Sequence, residues 1–183
     1  MNMIFTETEI SGVYVIKPQS KNDHRGYFER IYCLDEFNRE KIDFKIVQIN
    51  RSLSFSKGAI RGIHMQKSPK SEDKLISCIQ GSVFDVVIDL RKDSKTFGKW
   101  IGNTLSSGNK KMVFIPKGVA HGTQSLENNT VIQYPVSEFY SPDHAIGIRW
   151  NDPYFKISWP IRENVVVSDI DAGWQLFSPY HEE

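Results

Sequence analysis

The chain has 183 residues, of which 39% are hydrophobic and 25% charged, and its formal net charge is +1. That size suits one domain with one core, and that charge gives no global field to attract nucleic acid or an acidic membrane. No apolar run approaches the roughly 20 residues that span a bilayer, and the N-terminus lacks a signal-peptide pattern. Because the two cysteines, Cys33 and Cys78, lie too far apart in sequence for a metal or redox motif, we predict a cytoplasmic globular protein.

Most of the chain consists of short strand-like runs separated by turn residues. Such runs are predicted at 13–16, 44–54, 74–79, 83–90, 112–115, 121–126 and 130–135. Only 34–41 has a helical pattern, with a further short turn near Ser168. Many short strands with little helix favour a single all-β domain over residues 1–183, a jelly-roll sandwich or barrel, with an up-and-down barrel as the alternative.

Polar residues mark two places in the first third of the chain. The segment 23–28 predicts a turn with Arg25 at its tip, where an arginine is either solvated or bound to phosphate as a bidentate fork. Gln48, Asn50 and Ser52 are spaced by two, so they share one face of the predicted strand. Three uncharged hydrogen-bonding side chains on one face suit a polyol ligand, although a solvated face is the plainer interpretation.

Arg61 and His64 lie three residues apart in an apolar segment. A regular strand would point them to opposite faces, but Gly62 between them permits a bulge that could turn both inwards. The alternative is a structural histidine and a solvated arginine.

The dipeptide Gln80-Gly81 separates the runs at 74–79 and 83–90 and predicts a tight hairpin turn. In the second run, alternate side chains form two sets, with Phe84, Val86 and Ile88 on one face and Val83, Asp85, Val87 and Asp89 on the other. We therefore expect two adjacent antiparallel strands here.

The turn Pro116-Lys117-Gly118 precedes His121 in the Pro-x-Gly-x-x-His pattern of the second cupin motif. A metal-binding cupin would also need a His-x-His pair, but Gln66 stands where the second histidine would be, and Lys74 would repel a cation. The sequence therefore predicts a pocket without a metal.

Two tyrosines complete the set of candidates. Thr130, Ile132 and Tyr134 share a strand face, so Tyr134 could point inwards, either as a core aromatic or as a functional group. Tyr140 lies in a predicted loop and could stack on a base.

Taken together, these residues resemble the dTDP-4-dehydrorhamnose 3,5-epimerase family. The motifs that carry the resemblance follow one another from residue 12 to about residue 171: DHRGYF, QINRS, RGIHMQ, KLISCIQGSVFDVVIDLR, TFGKW, IPKGVAHG, EFYSP, RWNDP and ISWP. The resemblance implies a homodimeric cupin jelly roll that needs no cofactor. It implies inversion of C3 and C5 in a nucleotide-linked 4-keto-6-deoxy sugar, turning dTDP-4-dehydro-6-deoxy-D-glucose into dTDP-4-dehydro-L-rhamnose.

The resemblance also implies roles residue by residue. His64 corresponds to the base, Tyr134 to the acid on the opposite face of the sugar, and Lys74 to the residue near the C4 carbonyl. Asp171 corresponds to the carboxylate that pairs with the base, with Asp169 as the competing candidate. The implied substrate-binding residues are Arg25 near the phosphates, Gln48, Asn50, Arg61, His121, and Tyr140 on the thymine.

Three other functions stay open at this point. The first is an epimerase that acts at C3 or C5 alone, or on another nucleotide-linked 4-keto sugar. The second is a non-catalytic sugar-nucleotide binding cupin. The third is a metal-dependent cupin such as an oxygenase, which the glutamine at position 66 disfavours.

Overall fold

The computed structural model describes residues 2–178. Its elements in chain order are β1 (Met3–Glu7), β2 (Tyr14–Pro18), β3 (Lys21–Asp23), β4 (Gly26–Phe28), α1 (Leu34–Arg39), β5 (Gln48–Ser54), β6 (Ala59–Gln66), β7 (Lys74–Gln80), β8 (Ser82–Asp89), β9 (Trp100–Ser106), β10 (Met112–Ile115), β11 (Val119–Ser125), β12 (Thr130–Val136), β13 (Ala145–Gly147), β14 (Val166–Val167) and α2 (Asp169–Gly173). A 3₁₀ turn spans Pro142–His144. Among the described residues, no helix is long and apolar enough to span a bilayer.

The strands form two main sheets that enclose a core. The first sheet has the strand order β1-β2-β10-β7-β12-β5, and the second has the order β13-β6-β11-β8-β9, with β14 added beside β6. Strands β3 and β4 form a separate hairpin. Because sheet neighbours are mostly distant in sequence, the up-and-down barrel is excluded, and the predicted cupin-like sandwich is confirmed.

Apolar side chains pack on both faces of each sheet. The central cluster joins Ile76 and Val113 of the first sheet to Val87 and Leu105 of the second. A second cluster lies under α1, whose Phe37 is fully buried. A third cluster covers the outer face of β8 with the segment around Trp159. The two predicted faces of β8 are therefore confirmed, and both are buried.

Each predicted strand is present, β10 with the predicted ends and the others with shifted ends, and so are the helix at 34–41 and the turn near Ser168. That turn is α2, which begins where the Ser168 hydroxyl accepts a hydrogen bond from the Asp171 backbone N–H. Strands β1, β3, β4, β9, β13 and β14 were not predicted, and β6 was considered only as the segment around Arg61 and His64.

The predicted hairpin between β7 and β8 is wrong. Strand β7 lies between β10 and β12 in the first sheet, whereas β8 lies between β11 and β9 in the second. Gly81 is therefore a corner that carries the chain from one sheet to the other, with φ of 75°. A Cβ there would lie 2.6 Å from Oγ1 of Thr130, so a larger residue would not fit.

The predicted bulge at Gly62 is confirmed. His64 pairs with His121 and Arg61 with Thr123, so three steps along β6 oppose two along β11. Gly62 has φ of 97°, and a Cβ there would lie 2.7 Å from the His121 carbonyl oxygen. The extra residue interrupts the regular alternation of side chains along β6. Arg61 and His64 therefore do not point in the directions that a regular strand would give them.

Candidate active site

A cavity of about 430 Å³ lies where the two sheets and α2 meet, within the usual size of small-molecule sites. It brings together most of the residues predicted for the site: His64, Lys74, Tyr134, Asp171, Gln48, Asn50 and Tyr140. Met65, Gln66, Glu72, Val136, Glu138, Ala145, Ile170 and Trp174 complete the lining.

The first sheet supplies one wall through strand register. Tyr134 on β12 pairs with Asn50 on β5, and the next inward residue, Val136, pairs with both Gln48 and Lys74. Gln48 donates a 2.7 Å hydrogen bond to the Asn50 side chain, which fixes the two amides relative to each other. The second sheet supplies the opposite wall through His64 on β6. An imidazole and a phenol therefore reach one cavity from different sheets.

His64 is held as a neutral imidazole. Its burial, together with the charge of Lys74, lowers its pKa well below the usual range. The ring of His121 lies behind it, with 5.6 Å between ring centroids, and is also buried. A neutral His64 can accept a proton at pH 7.

His121 is paired with Asp85 and does not line the cavity. Its Nδ1 lies 3.2 Å from the Asp85 carboxylate, and both side chains are buried. Burial lowers the pKa of His121 and raises the pKa of Asp85, each well away from its ordinary value. Both partners are thus favoured in their neutral forms. Sequence reasoning missed Asp85 as a site residue, although a carboxylate on the same face as Val83 and Val87 was a signal.

Lys74 forms a buried ion pair with Glu72. Its Nζ lies 3.0 Å from Oε1 of Glu72, and the two side chains are only 6% and 5% exposed. Burial lowers the pKa of Lys74, and the Glu72 carboxylate opposes that change. The ammonium thus has its counterion inside the cavity.

Asp171 rather than Asp169 reaches the cavity. Helix α2 presents Asp171 to the cavity, whereas Asp169 is exposed outside it. The Asp171 carboxylate accepts hydrogen bonds from the Ser168 hydroxyl and from Nε1 of Trp174. Among residues 2–178 it makes no hydrogen bond to His64, so the implied pair is not formed in this state.

Two arginines of the predicted set do not line the cavity. Arg61 donates to the Ser54 hydroxyl and the Leu53 carbonyl oxygen. Burial lowers the pKa of His64 and raises the pKa of Tyr134, and the charge of Arg61 adds to the first change and opposes the second. Arg25 lies at the tip of the β3–β4 hairpin, where its exposed guanidinium pairs with Asp23 at 2.7 Å.

Gln66 has a structural use that differs from metal binding. Its amide nitrogen donates to the carbonyl oxygens of Lys70 and Phe139, and its oxygen accepts from the Ser141 N–H. It thereby ties together the two loops beside the cavity. Within the described part of the chain, no group of three or more His, Cys, Asp or Glu residues is placed to hold a metal ion.

Comparison with known proteins gives a consistent result. A family model described as dTDP-4-dehydrorhamnose 3,5-epimerase matches residues 7–179. An enzyme of that name from Shigella flexneri is 41% identical over 180 residues, which cover 97% of this chain and 96% of the relative.

Solved structures show the same likeness. The dTDP-4-dehydrorhamnose 3,5-epimerase from Bacillus anthracis, with TDP and PPi bound, is 39% identical with a TM-score of 0.93, over 96% of this chain and 99% of that one. The dTDP-6-deoxy-D-glucose-3,5-epimerase from Legionella pneumophila, in complex with dTDP-4-keto-L-rhamnose, is 37% identical with a TM-score of 0.90, over 96% and 93% of the two chains.

Proposed function

The chain belongs to the dTDP-4-dehydrorhamnose 3,5-epimerase family and is an epimerase, and we propose that His64 and Tyr134 carry out its two inversions. The substrate is dTDP-4-dehydro-6-deoxy-D-glucose and the product is dTDP-4-dehydro-L-rhamnose. The observation that supports this assignment is the position of His64 and Tyr134 on opposite sheets around one cavity. Inversion requires a proton to leave one side of a carbon and to return from the other.

The proposed chemistry follows from the C4 ketone. The ketone acidifies the hydrogens at C3 and C5, so His64 takes one of them and becomes an imidazolium while an enolate forms. The Lys74 ammonium stabilises the negative charge on the C4 oxygen, where it develops. Tyr134 then delivers its phenolic proton to the other face of the carbon, and exchange with water resets both groups. Each general acid–base step contributes on the order of 10²–10⁴-fold.

The remaining cavity residues bind the substrate in this proposal. Gln48 and Asn50 offer amide groups to the sugar, and Tyr140, a residue that is 66% exposed, stacks its ring on the thymine. Asp171 stabilises the imidazolium once His64 is charged. His121 packs against the His64 ring and supports it rather than contacting the substrate, since His121 does not line the cavity.

We also propose a cytoplasmic homodimer. Several large apolar side chains are exposed on β5, directly after it, and on the β3–β4 hairpin, namely Ile49, Phe55, Tyr27 and Phe28, and such a surface favours a partner. Arg25 lies away from the cavity of its own chain. It could therefore bind the phosphates of a substrate only in the cavity of a second copy of the chain.

Mixed dimers test this arrangement. We expect Arg25→Ala and His64→Asn to be inactive alone and to regain activity when refolded together, because one site of the mixed dimer then has both residues. Absence of recovery in a mixture that forms dimers would contradict a shared site.

The test of the function itself is incubation of the purified protein with nucleotide-linked 4-keto sugars in deuterated water, read by NMR. We expect deuterium at both C3 and C5 and the L-rhamnose configuration in the product. Label at one carbon alone would support the single-site alternative, and binding without exchange would support the non-catalytic one. His64→Asn should abolish exchange at both carbons, whereas His144→Asn, the same change outside the cavity, should not.

A further inference from the structure

A buried carboxylate that the proposed mechanism does not use lies beside Lys74. Glu72 is 8% exposed, lines the cavity and contacts Nζ of Lys74 through Oε1. Its other oxygen, Oε2, is buried and has no hydrogen-bond partner within residues 2–178. A buried charged acceptor without a partner costs free energy, so its presence in the cavity needs an explanation.

The loop that carries Glu72 is held at several points. The neighbouring Asp73 accepts hydrogen bonds from the Lys117 N–H at 3.0 Å and from the Ser137 hydroxyl at 2.8 Å. Its own N–H donates to that same hydroxyl at 2.8 Å. These hydrogen bonds tie the loop to the 116–118 turn and to the end of β12. They therefore restrict where Glu72 can lie.

Glu72 is the anion that balances Lys74. The titratable groups around Nζ are Glu72 from the preceding loop, Asp85 from β8, His64 from β6 and His121 from β11. Burial favours the neutral forms of Asp85 and of both histidines. Of these four groups, Glu72 opposes the effect of burial on the ammonium most strongly, through its charge and its hydrogen bond, and the charge of Asp85 adds a smaller effect of the same sign.

The contact also orients the ammonium. An ammonium group has three N–H donors, and the ion pair with Glu72 occupies one of them. The other two remain for an acceptor in the cavity, which in the proposed function is the C4 oxygen of the sugar.

We propose that Glu72 is a positioning residue that keeps Lys74 charged and aimed into the cavity, and so sets the upper pH limit of epimerisation. The inference rests on the proposed function for its link to catalysis. The ion pair itself is independent of that function and can be measured separately.

The test is Glu72→Gln, which keeps the shape and removes the charge. Loss of the carboxylate removes an attraction that favours the charged amine. The alkaline limb of the kcat–pH profile should therefore move to lower pH, and the Lys74 side chain, followed by ¹³Cε NMR, should titrate at lower pH. Glu127→Gln makes the same change in the turn before β12 and should move neither measurement. Glu72→Asp retains the charge at a greater distance, so both values should lie between those of wild type and Glu72→Gln.

Each outcome decides the matter. An unchanged limb or an unchanged Lys74 titration in folded, active Glu72→Gln would overturn the proposal, as would Glu72→Asp behaving like Glu72→Gln. Should Glu72→Gln not fold, a Lys74 titration in Glu72→Asp below that of wild type supports the proposal, and an unchanged one overturns it. If wild type shows no epimerisation but the Lys74 titration shifts as expected, the proposed function fails and the positioning role stands.

Discussion

In the proposed mechanism, Tyr134→Phe separates proton removal from proton return, because it removes one oxygen atom and leaves the proposed base, His64, untouched. The ring packs against the central core, and phenylalanine keeps that packing. Burial raises the pKa of Tyr134, so the wild-type phenol is protonated across the neutral range. Loss of a general acid costs about 10²–10⁴-fold, or about 3–5 kcal/mol of barrier at about 1.4 kcal/mol per factor of ten.

The assay compares two rates in one sample. In deuterated water, NMR gives the rate at which C3 and C5 lose their hydrogen signals and the rate at which the product forms. In wild type the two rates should be close. In Tyr134→Phe product formation should fall by the factor above, while exchange with retained configuration continues, since His64 can return the deuteron to the face it came from.

Two results would refute this assignment. Product formation at the wild-type rate would show that another group delivers the proton. Equal losses of exchange and inversion would show that Tyr134 binds the substrate rather than protonating it. A thermal melting curve that matches wild type excludes loss of fold as the cause.

Three further predictions concern the scaffold. Gly147→Ala should lower kcat/KM by on the order of 100-fold with a shifted tryptophan fluorescence, because a Cβ would lie 2.3 Å from the Trp174 ring and displace α2. The free energy of unfolding should fall as pH drops below about 6.5, because the pKa values of His64 and His121 are lowered only in the folded state and the unfolded chain then binds more protons. Each histidine contributes up to about 1.4 kcal/mol per pH unit, and the raised pKa of folded Asp85 offsets part of the sum; urea titrations of Asp85→Asn, which lacks that offset, from pH 8 to 5 measure the histidine effect, and a flat profile contradicts it. Asp85→Asn should raise stability at pH 7, because burial raises the pKa of Asp85 by penalising its ionised form in the folded state, and the amide carries no such penalty; a lower midpoint in urea at pH 7 would contradict it.

Local spacing predicted the faces of strands well. Gln48 and Asn50, like Ile132 and Tyr134, are two residues apart and therefore share a face of their strand. Once one side chain of such a pair is known to point inwards, the other must point inwards as well. The bulge was also predictable from local sequence. Position 62 has a positive φ and lies close to the neighbouring strand, and glycine is the residue type that tolerates both.

Sheet membership and charge pairing were beyond local patterns. The Gln80-Gly81 signal is the same for a hairpin and for a corner between sheets, and only the burial of both faces of β8 distinguishes them. The Asp85–His121 pair joins β8 to β11, and the two residues are 36 positions apart in sequence. Likewise, nothing local shows that Arg25 points away from the cavity of its own chain.

In the proposed mechanism, the sandwich architecture allows one pair of groups to invert two carbons. C3 and C5 both adjoin C4, so an ammonium fixed at the C4 oxygen stabilises the enolate formed from either carbon. His64 and Tyr134 reach the cavity from different sheets, so each lies on its own side of a sugar ring placed between them. We infer that this mechanism needs no second base, because a small shift of the ring about the C4 oxygen would present C3 and C5 in turn to the same pair. Such a shift requires that the Lys74 ammonium stay in place while the ring moves. In this proposal the buried ion pair with Glu72 holds it there.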